Sequence, residues 1–334
     1  MKAWQIVSPD GIDALKLADV AAGTPAAGEV HVRMRSNAIN FRDLMTVRDP
    51  VSRRLPYPRI PNSDGAGEVI AVGPGVTTMK PGDRVASCFF QKWQDGACSA
   101  QAMATALGGA LDGVLAEEVI LHADGVVPVP PHLSFAEAAT LPCAALTAWN
   151  AIVECGRVKA GDTVLLLGTG GVSIFALQFA KMLGARTIIT SSSDQKLARA
   201  DDMGASVTIN YRSRPDWEHA VLEATDGQGV DLAVEVGGAG TLPRSITATR
   251  VAGTIALIGV LTGGQIDPAS FMRKSIKMQG IYVGSRRMFQ DMNRAITLHG
   301  MKPVIDRTFA FTEARAAYHA MAAASHFGKL VVEI

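Results

Sequence analysis

The fold of this chain is decided by the stretch TVLLLGTGGVS at residues 163–173. An apolar run leads into the glycine turn at residues 168–171, and an amphipathic helix is predicted to follow over residues 172–183. Glycines in such a turn let the backbone approach a pyrophosphate, and the helix N-terminus offers unpaired N–H groups to the anion. Strand, glycine turn and helix in this order therefore predict a dinucleotide-binding site, although Ser173 stands where the usual pattern has a third glycine.

Alternating strands and helices follow this turn as far as residue 283. Further strands are predicted at residues 186–190, 206–210, 230–236, 254–259 and 277–283, and further helices at residues 194–203 and 215–224. Strands that are apolar almost throughout and are separated by helices are typical of a parallel sheet covered on both faces. The pattern predicts an α/β fold with a doubly wound parallel sheet. The glycines after its first, fourth and fifth strands lie at the sheet edge where such folds bind ligands.

The first third of the chain has a different pattern, with short strands separated by glycine and proline turns. The heptapeptide EVHVRMR at residues 29–35 alternates apolar and polar side chains, as strands with one buried face do. Many short strands between such turns favour a small β-barrel or sandwich. We therefore predict a barrel domain at residues 1–128, rejoined by residues 286–334, and a dinucleotide-binding domain at residues 129–285.

Local signals mark the regions that flank the predicted sheet. The proline-rich segment at residues 128–131 is predicted to connect the two domains (the proline crossing). Ser134, with Glu137 three residues later, forms a capping-box pattern that predicts the start of a helix. A helix at residues 312–323 and a strand at residues 330–334 are predicted to close the chain.

The composition excludes several classes of protein. The chain has 334 residues, 48% of them hydrophobic, and a formal net charge of +1. These values are typical of an ordered protein with two domains, and no basic stripe indicates a nucleic-acid partner. No apolar run is long enough for a membrane span, the N-terminus lacks a signal-peptide pattern, and the four cysteines form no C-x-x-C pair. We expect a soluble cytoplasmic protein that binds neither nucleic acid nor membrane.

Five segments carry a resemblance to a known family. They are NFRDL at residues 40–44, PNSDGAGEV at residues 61–69, PGDRV at residues 81–85, LPCAALTAW at residues 141–149, and the glycine turn. In this order they resemble the medium-chain dehydrogenase/reductase superfamily over essentially the whole chain, and within it the zinc-independent quinone oxidoreductase branch. The resemblance implies a GroES-like barrel domain, a Rossmann domain and a cleft between them.

The zinc ligands of this superfamily are largely absent from the sequence. Where zinc-dependent members have cysteine, histidine and glutamate, this chain has Asn40, Ser63 and Asp64, and only Cys143 falls on a ligand position. One thiolate with an amide and a hydroxyl does not make a catalytic zinc site, which needs three good ligands. The structural zinc loop is also missing, since residues 91–113 contain a single cysteine. We therefore expect no zinc at either position.

The missing zinc ligands favour a particular class of substrate. Zinc-dependent members polarise a simple carbonyl or alcohol with the metal, whereas a quinone or an α,β-unsaturated carbonyl spreads the charge of an added hydride over its conjugated system. The resemblance thus implies a small electrophilic substrate that is reduced by NAD(P)H. Two alternatives stay open: an alcohol dehydrogenase or ketoreductase of the same superfamily, and a catalytically silent relative that binds nucleotide without turnover.

Three residues are candidates for the catalytic site. The resemblance places Asn40 and Asp43 in the cleft near the nicotinamide, with Asn40 as a hydrogen-bond donor to substrate and Asp43 as a positioning or proton-relay group. The alternative for both is helix capping, which both residue types favour. Thr147 falls where the family's threonine approaches the cofactor, and its alternative is a buried threonine bonded to the helix backbone.

The residues after the second strand of the predicted sheet favour NADPH over NADH. NAD-specific Rossmann domains carry an acidic residue there to hold the ribose 2′-hydroxyl, and this chain has Ser191 and Ser192 instead. Hydroxyls can donate to a 2′-phosphate, and Lys196 adds positive charge one helical turn later. Asp194 complicates this interpretation, and its alternative role is a helix N-cap. Tyr211, after the third strand, matches a family tyrosine that lies beside the adenosine phosphate.

The full set of predicted cofactor-binding residues combines the strand ends with two later motifs. It comprises Gly168, Thr169, Gly170, Gly171, Val172, Ser191, Ser192, Lys196, Tyr211, Gly237, Gly259, Val260, Arg286 and Lys329. Arg286 is predicted to contact the pyrophosphate or the substrate, and Lys329, in a terminal family motif, is predicted to reach the cofactor. The strand at residues 277–283 is expected at the sheet edge, and both this edge and the resemblance favour a homodimer.

Overall fold

The structure, a computed structural model, describes residues 1–334. It contains two compact units. The first comprises Met1–Leu146 and Gly284–Ile334, and the second comprises Thr147–Val283. None of the helices is both long and apolar enough to cross a membrane.

The secondary structure consists of strands β1 to β15 and α-helices α1 to α11. In chain order the strands are Lys2–Gln5, Lys16–Asp19, Glu29–Ile39, Asp64–Val72, Arg84–Ser87, Glu118–His122, Val126–Pro128, Thr163–Leu167, Arg186–Ser191, Val207–Asn210, Val230–Glu235, Thr249–Leu257, Lys277–Gly280, Ile305–Ala310 and Lys329–Glu333. The α-helices are Phe41–Arg48, Ala100–Met103, Phe135–Ala139, Leu146–Trp149, Gly171–Met182, Asp194–Asp202, Trp217–Ala224, Leu242–Ala248, Ala269–Arg273, Arg286–His299 and Ala314–Ala322. Two π-helical segments, Leu141–Ala145 and Asn150–Cys155, flank α4.

The division between the units falls later in the chain than the boundary predicted at residue 128. Helix α3 packs against β3 and β4, so the chain up to Leu146 belongs to the first unit. The capping box that begins α3 is present as predicted, because Glu137 N–H donates to Ser134 Oγ at 3.2 Å and Ser134 N–H donates to the Glu137 carboxylate at 2.7 Å. The proline crossing therefore ends β7 without ending the unit.

The first unit is built on a mostly antiparallel sheet. Its strand order is β14-β15-β3-β4-β5-β7, and β6 also pairs with β3. The predicted alternation along β3 is confirmed, since Val30, Val32 and Met34 are buried in an apolar cluster while Arg33 and Arg35 are exposed. The final strand, β15, pairs with β3, so residues from opposite ends of the sequence lie side by side.

The second unit is a six-stranded parallel sheet with helices between its strands. The strand order is β10-β9-β8-β11-β12-β13. This is the order of a doubly wound sheet, in which the order of successive strands reverses between β8 and β11. The predicted fold class is confirmed. Strand β13 lies at the sheet edge as expected, and all of its residues are exposed.

The edge strand is shorter than predicted. It ends at Gly280, and the chain reaches Val283 with a left-handed φ of 59°. A β-branched residue in this region has left the extended conformation of a strand. The Val283 carbonyl accepts a hydrogen bond from Asn150 Nδ2 at 2.7 Å, which fixes the turn.

The start of α6 also differs from the sequence interpretation. Ser193 is the N-cap, because its Oγ accepts a hydrogen bond from Lys196 N–H at 3.4 Å. The N-cap alternative for Asp194 is therefore wrong. Its carboxylate instead accepts a hydrogen bond from Asn210 Nδ2 at 2.6 Å.

Candidate functional site

The glycine turn joins β8 to α5, as the sequence predicts. Gly168 adopts a φ of 71°, which glycine takes without strain, and α5 begins at Gly171. A Cβ atom on Gly168 or Gly170 would meet no atom within 4 Å, so the turn faces open space. The first N–H groups of α5 have no acceptor within the helix, which makes this turn well suited to a pyrophosphate.

Ser173 explains how the turn tolerates the loss of the third glycine. Its side chain is buried, and its hydroxyl donates to Leu167 O at 2.7 Å. The third glycine normally permits close packing of the helix on the strand. Here a hydrogen bond fastens the first turn of α5 to the end of β8 instead.

The residues predicted to select NADPH lie at the carboxyl end of β9. Ser191 is buried, and its Oγ accepts a hydrogen bond from Ser193 N–H at 3.3 Å. Ser192 is half-buried, and Lys196 lies in the first turn of α6. Tyr211 is 41% exposed, and its N–H donates to Ser191 O at 3.0 Å. The structure thus brings the predicted serines, lysine and tyrosine to the same end of the sheet.

A shallow cavity of about 430 Å³ lies against α6 and β10. It is lined by Asp194, Leu197, Ala198, Asp201, Thr208 and Asn210. None of the predicted cofactor-binding residues contributes to it, and its two carboxylates disfavour a phosphate. The cavity adjoins the candidate nucleotide site, because Asp194 lies two residues after Ser192 and Asn210 precedes Tyr211.

The glycines after β11 and β12 border the same end of the sheet, but their N–H groups already have acceptors. Gly237 N–H donates to Glu235 Oε1 at 2.7 Å, and Gly259 N–H donates to Glu235 O at 2.9 Å. Val260 is 66% exposed. Gly237 and Gly259 can border a ligand, but they offer no free donor to a phosphate. Sequence reasoning missed Glu235, whose only signal is an acidic residue at the end of an apolar strand.

In the first unit, Asn40 and Asp43 stand at the N-terminus of α1. Asn40 N–H donates to Asp43 Oδ2 at 2.9 Å, which is one half of a capping box. Asp43 is fully buried, and its second oxygen lies 3.7 Å from Arg42 Nε. The helix-capping alternative therefore accounts for Asp43. Asn40 is the N-cap residue, and its side chain makes a further contact with the end of the chain.

Lys329 lies beside Asn40 because β15 pairs with β3. It is only 2% exposed, and its ammonium donates to Ile39 O at 3.0 Å and to Asn40 Oδ1 at 2.5 Å. The amide of Asn40 is thereby oriented, and its Nδ2 is buried. The contact of Lys329 with the cofactor stays a prediction, but the structure shows a buried cation that fixes one candidate catalytic side chain.

A carboxylate completes this group. Asp64 is fully buried, Ser63 Oγ donates to its Oδ1 at 2.6 Å, and Cys143 N–H donates to its Oδ2 at 3.0 Å. Burial raises the pKa of Asp64 to about 6, and the positive charge of Lys329 opposes that rise. We call Asn40, Asp64 and Lys329 the buried polar cluster. Sequence reasoning had noted Asp64 only as a replaced zinc ligand and had not paired it with Lys329.

The buried polar cluster does not fit a zinc ion. Burial and then the negative charge of Asp64 raise the pKa of the Cys143 thiol, so the thiol keeps its proton. Both oxygens of Asp64 accept hydrogen bonds, and Asn40 Oδ1 is taken by an ammonium that would repel a divalent cation. A catalytic zinc needs three ligands with free lone pairs. No three His, Cys, Asp or Glu side chains of the chain are placed to supply them.

Thr147 and Arg286 are predicted site residues that also lie outside this cluster. Thr147 is 3% exposed and lies in α4, between the two π-helical segments, and such irregular turns are frequent at functional sites. Arg286 begins α10, and its Nε donates to Val126 O at 3.2 Å. Part of the guanidinium of Arg286 therefore binds β7.

Comparison with known proteins gives matches in both units. Residues 171–298 match the family model described as zinc-binding dehydrogenase, and residues 26–131 match the one described as alcohol dehydrogenase GroES-like domain. A zinc-type alcohol dehydrogenase-like protein of Schizosaccharomyces pombe is 41% identical over 315 residues, which cover 92% of this chain and 91% of that protein.

Solved structures give the same result. A putative alcohol dehydrogenase from Sinorhizobium meliloti 1021 is 40% identical with a TM-score of 0.93, over 100% of this chain and 98% of that one. An NAD-dependent alcohol dehydrogenase is 33% identical with a TM-score of 0.92, and the match covers 100% of both chains. Several of these names mention zinc or alcohol, whereas the donor set of this chain does not fit zinc.

Proposed function

Because the chain belongs to the medium-chain dehydrogenase/reductase superfamily, we propose that it is a zinc-independent oxidoreductase that reduces quinones or α,β-unsaturated carbonyls with NADPH. The buried polar cluster carries this proposal, because Asn40 stands at an expected zinc-ligand position and the ammonium of Lys329 binds its amide. A conjugated acceptor needs hydrogen-bond donors at the oxygen that gains charge, and it does not need a metal.

Asn40 supplies such a donor. Because the ammonium of Lys329 binds Asn40 Oδ1, Nδ2 is the donor that remains on this amide, and the Asn40 side chain also lowers the pKa of Asp64. This Nδ2 donates to the substrate oxygen as negative charge develops there. One well-placed donor to an oxyanion is worth about 3 kcal/mol. Lys329 acts here as a positioning residue, since it holds the donor in place.

Features of the second unit support NADPH as the cofactor. When bound, the cofactor supplies the hydride. The N–H groups at the start of α5 would hold its pyrophosphate, where Gly168 and Gly170 leave open space. The hydroxyls of Ser191 and Ser192, with the charge of Lys196, would hold its 2′-phosphate, since β9 ends without a carboxylate and the nearby Asp194 is bound by Asn210.

An alcohol dehydrogenase or ketoreductase is the second candidate, and the names of the relatives favour it. Steady-state assays on the purified chain, with elemental analysis, separate the two. We expect quinones and enones to oxidise NADPH at a rate that a chelator does not change, with zinc far below one atom per chain. Alcohol-dependent reduction of NAD⁺ together with one tightly bound zinc per chain would establish the second candidate instead. Nucleotide binding without turnover on either panel would identify a catalytically silent relative.

We also propose that the chain forms a homodimer through its sheet edge. All residues of β13 are exposed, and Met278 within it is 43% exposed. The unpaired N–H and C=O groups of such an edge can pair with a second copy across a twofold axis. Light scattering should give the mass of a dimer for the wild type and of a monomer for Met278→Lys. A monomeric wild type would contradict this proposal.

A further inference from the structure

Glu235, the last residue of β11, is a fully buried carboxylate with no role in the function proposed above. Its Oε1 accepts hydrogen bonds from Gly237 N–H at 2.7 Å, from Gly238 N–H at 3.0 Å and from Thr241 Oγ1 at 2.6 Å. Its Oε2 accepts one from Ser245 Oγ. All four partners are neutral groups that donate.

We propose that Glu235 is a positioning residue at the nicotinamide end of the cofactor site, where its negative charge favours the oxidised, cationic ring. The proposal rests on the hydride transfer proposed above. The hydride leaves C4 of the dihydronicotinamide with both electrons of its C–H bond, and it forms a C–H bond to the acceptor. The ring is oxidised to a cation, and the reduced acceptor takes a proton from water. A nearby carboxylate stabilises the state in which this positive charge develops.

The hydrogen-bond partners of Glu235 suit a carboxylate. An ionised carboxylate only accepts hydrogen bonds, and its lone pairs meet four donors here. The backbone N–H groups of Gly237 and Gly238 can only donate, so the Oε1 that binds both of them must be an acceptor. Hydrogen bonds to a charged acceptor are also stronger than those between neutral groups.

Glu235 also fastens two loops to each other. Its backbone oxygen accepts the N–H of Gly259 at 2.9 Å, and Gly237 O accepts the N–H of Thr262 at 3.2 Å. A Cβ atom on Gly259 would come within 2.0 Å of the Val236 carbonyl carbon, so the loops after β11 and β12 pack backbone to backbone. The side chain of Glu235 therefore sets the first loop, and its main chain sets the second.

The position of these loops in the sheet assigns them to the nicotinamide half of the cofactor. In a doubly wound sheet the dinucleotide crosses the point where the strand order reverses, which is between β8 and β11 here. The turn after β8 and the serines after β9 suit the pyrophosphate and the adenosine ribose. The carboxyl ends of β11 and β12 remain for the nicotinamide nucleotide. At this end the N–H groups of Gly237 and Gly238 bind Glu235, so the loop is built around an anion.

Glu235→Gln tests the charge with little change of shape. The amide oxygen of the variant can keep the bonds from Gly237, Gly238 and Thr241, and its Nε2 can donate to Ser245 Oγ, since a hydroxyl also accepts. Thr241→Val tests the positioning, because it removes one donor and leaves the charge in place.

A matched control lies at the opposite end of the same strand. Asp231 Oδ2 accepts Thr163 N–H at 2.8 Å, and Asp231 Oδ1 accepts Arg250 Nε at 2.6 Å. Asp231→Asn therefore also removes a hydrogen-bonded carboxylate from β11, but far from the strand ends that bind ligands. It controls for loss of stability without an effect on the cofactor.

The experiment measures the dissociation constants of NADP⁺ and NADPH on the full chain by calorimetric titration, without substrate. For Glu235→Gln we expect the ratio of the NADP⁺ constant to the NADPH constant to rise about fivefold, which corresponds to about 1 kcal/mol. For Thr241→Val both constants should rise about threefold with the ratio unchanged. For Asp231→Asn neither constant should change. With an enone as acceptor, kcat of Glu235→Gln should fall while the KM of the enone stays constant.

Two results would overturn the inference. An unchanged ratio in folded Glu235→Gln would leave the carboxylate with a structural role only. Unchanged constants in Thr241→Val would remove the positioning role, and this variant decides that role even where Glu235→Gln does not fold. Because the titrations need no acceptor, a shifted ratio without any enone turnover would disprove the proposed substrate class and leave the role of Glu235 intact.

Discussion

Replacing Lys329 with methionine tests whether charge holds the buried polar cluster together. Lys329→Met keeps the side-chain length and removes the ammonium that donates to Ile39 O and Asn40 Oδ1. Asp64 then remains fully buried without the cation that lowers its pKa. Removing one partner of a buried charged pair costs about 3–5 kcal/mol of unfolding free energy, because the other charge is left uncompensated.

The pH dependence separates this charge effect from lost packing. The pKa of Asp64 is about 6 in the folded protein and 3.8 ordinarily, so the folded state favours the protonated acid. The contribution of Asp64 to stability is complete below about pH 4 and is lost as the pH rises through about 6, by about 3 kcal/mol in all. Without Lys329 this pKa rises further, and the loss extends to higher pH. The variant should therefore be less stable than the wild type by about 3–5 kcal/mol near pH 8, and this difference should shrink towards pH 5.

Urea unfolding of both proteins near pH 8 and near pH 5 measures these free energies. Asp64→Asn supplies the control, because an asparagine leaves no charge uncompensated and Lys329→Met should cost less in that background. A destabilisation that is equal at both pH values and is undiminished by Asp64→Asn would refute the reasoning. Lys329 would then contribute only through packing.

Three further substitutions test the other parts of the site and fold. Asn40→Ala should lower kcat for an enone about 100-fold, because it removes the donor to the developing oxyanion. Calorimetry should show an unchanged NADPH dissociation constant. An unchanged kcat would exclude Asn40 from catalysis. Ser191→Asp places a carboxylate where the 2′-phosphate is expected. The dissociation constant of NADPH should therefore rise about tenfold, and that of NADH should not change. Equal changes of both constants would contradict the assignment. Ser134→Ala removes the N-cap of α3 and should cost about 1 kcal/mol in urea unfolding with kcat unchanged; no loss of stability would show that the capping box contributes nothing.

The sequence predicted those features that depend on neighbouring residues. The glycine turn, the apolar strands around it and the capping box at Ser134 and Glu137 are each encoded within a few positions, and the structure has all of them. The capping alternative for Asp43 belongs to the same class, because its partner Asn40 is three residues away. Local patterns of this kind follow from backbone geometry and side-chain periodicity, which a single sequence displays directly.

Local patterns were insufficient where a side chain had a choice of partners. Asp194 is a good N-cap residue, but Ser193 takes that position and Asp194 binds Asn210 from the next strand. The proline crossing after residue 128 resembles a domain boundary, yet α3 packs on the strands of the first unit and moves the division to Leu146. In each case a contact from another element decided between two locally acceptable arrangements.

By itself, the sequence determined a doubly wound nucleotide-binding sheet and a second, β-rich unit, because hydrophobic periodicity and glycine turns are local properties. Only the tertiary structure decided the chemistry of the candidate site. It brings Lys329 to Asn40 across 289 positions through the pairing of β15 with β3, and it buries Asp64 beside them. Strand pairing between the two ends of a chain has no short-range signal, and the charge balance of a buried group depends on the neighbours that such pairing supplies.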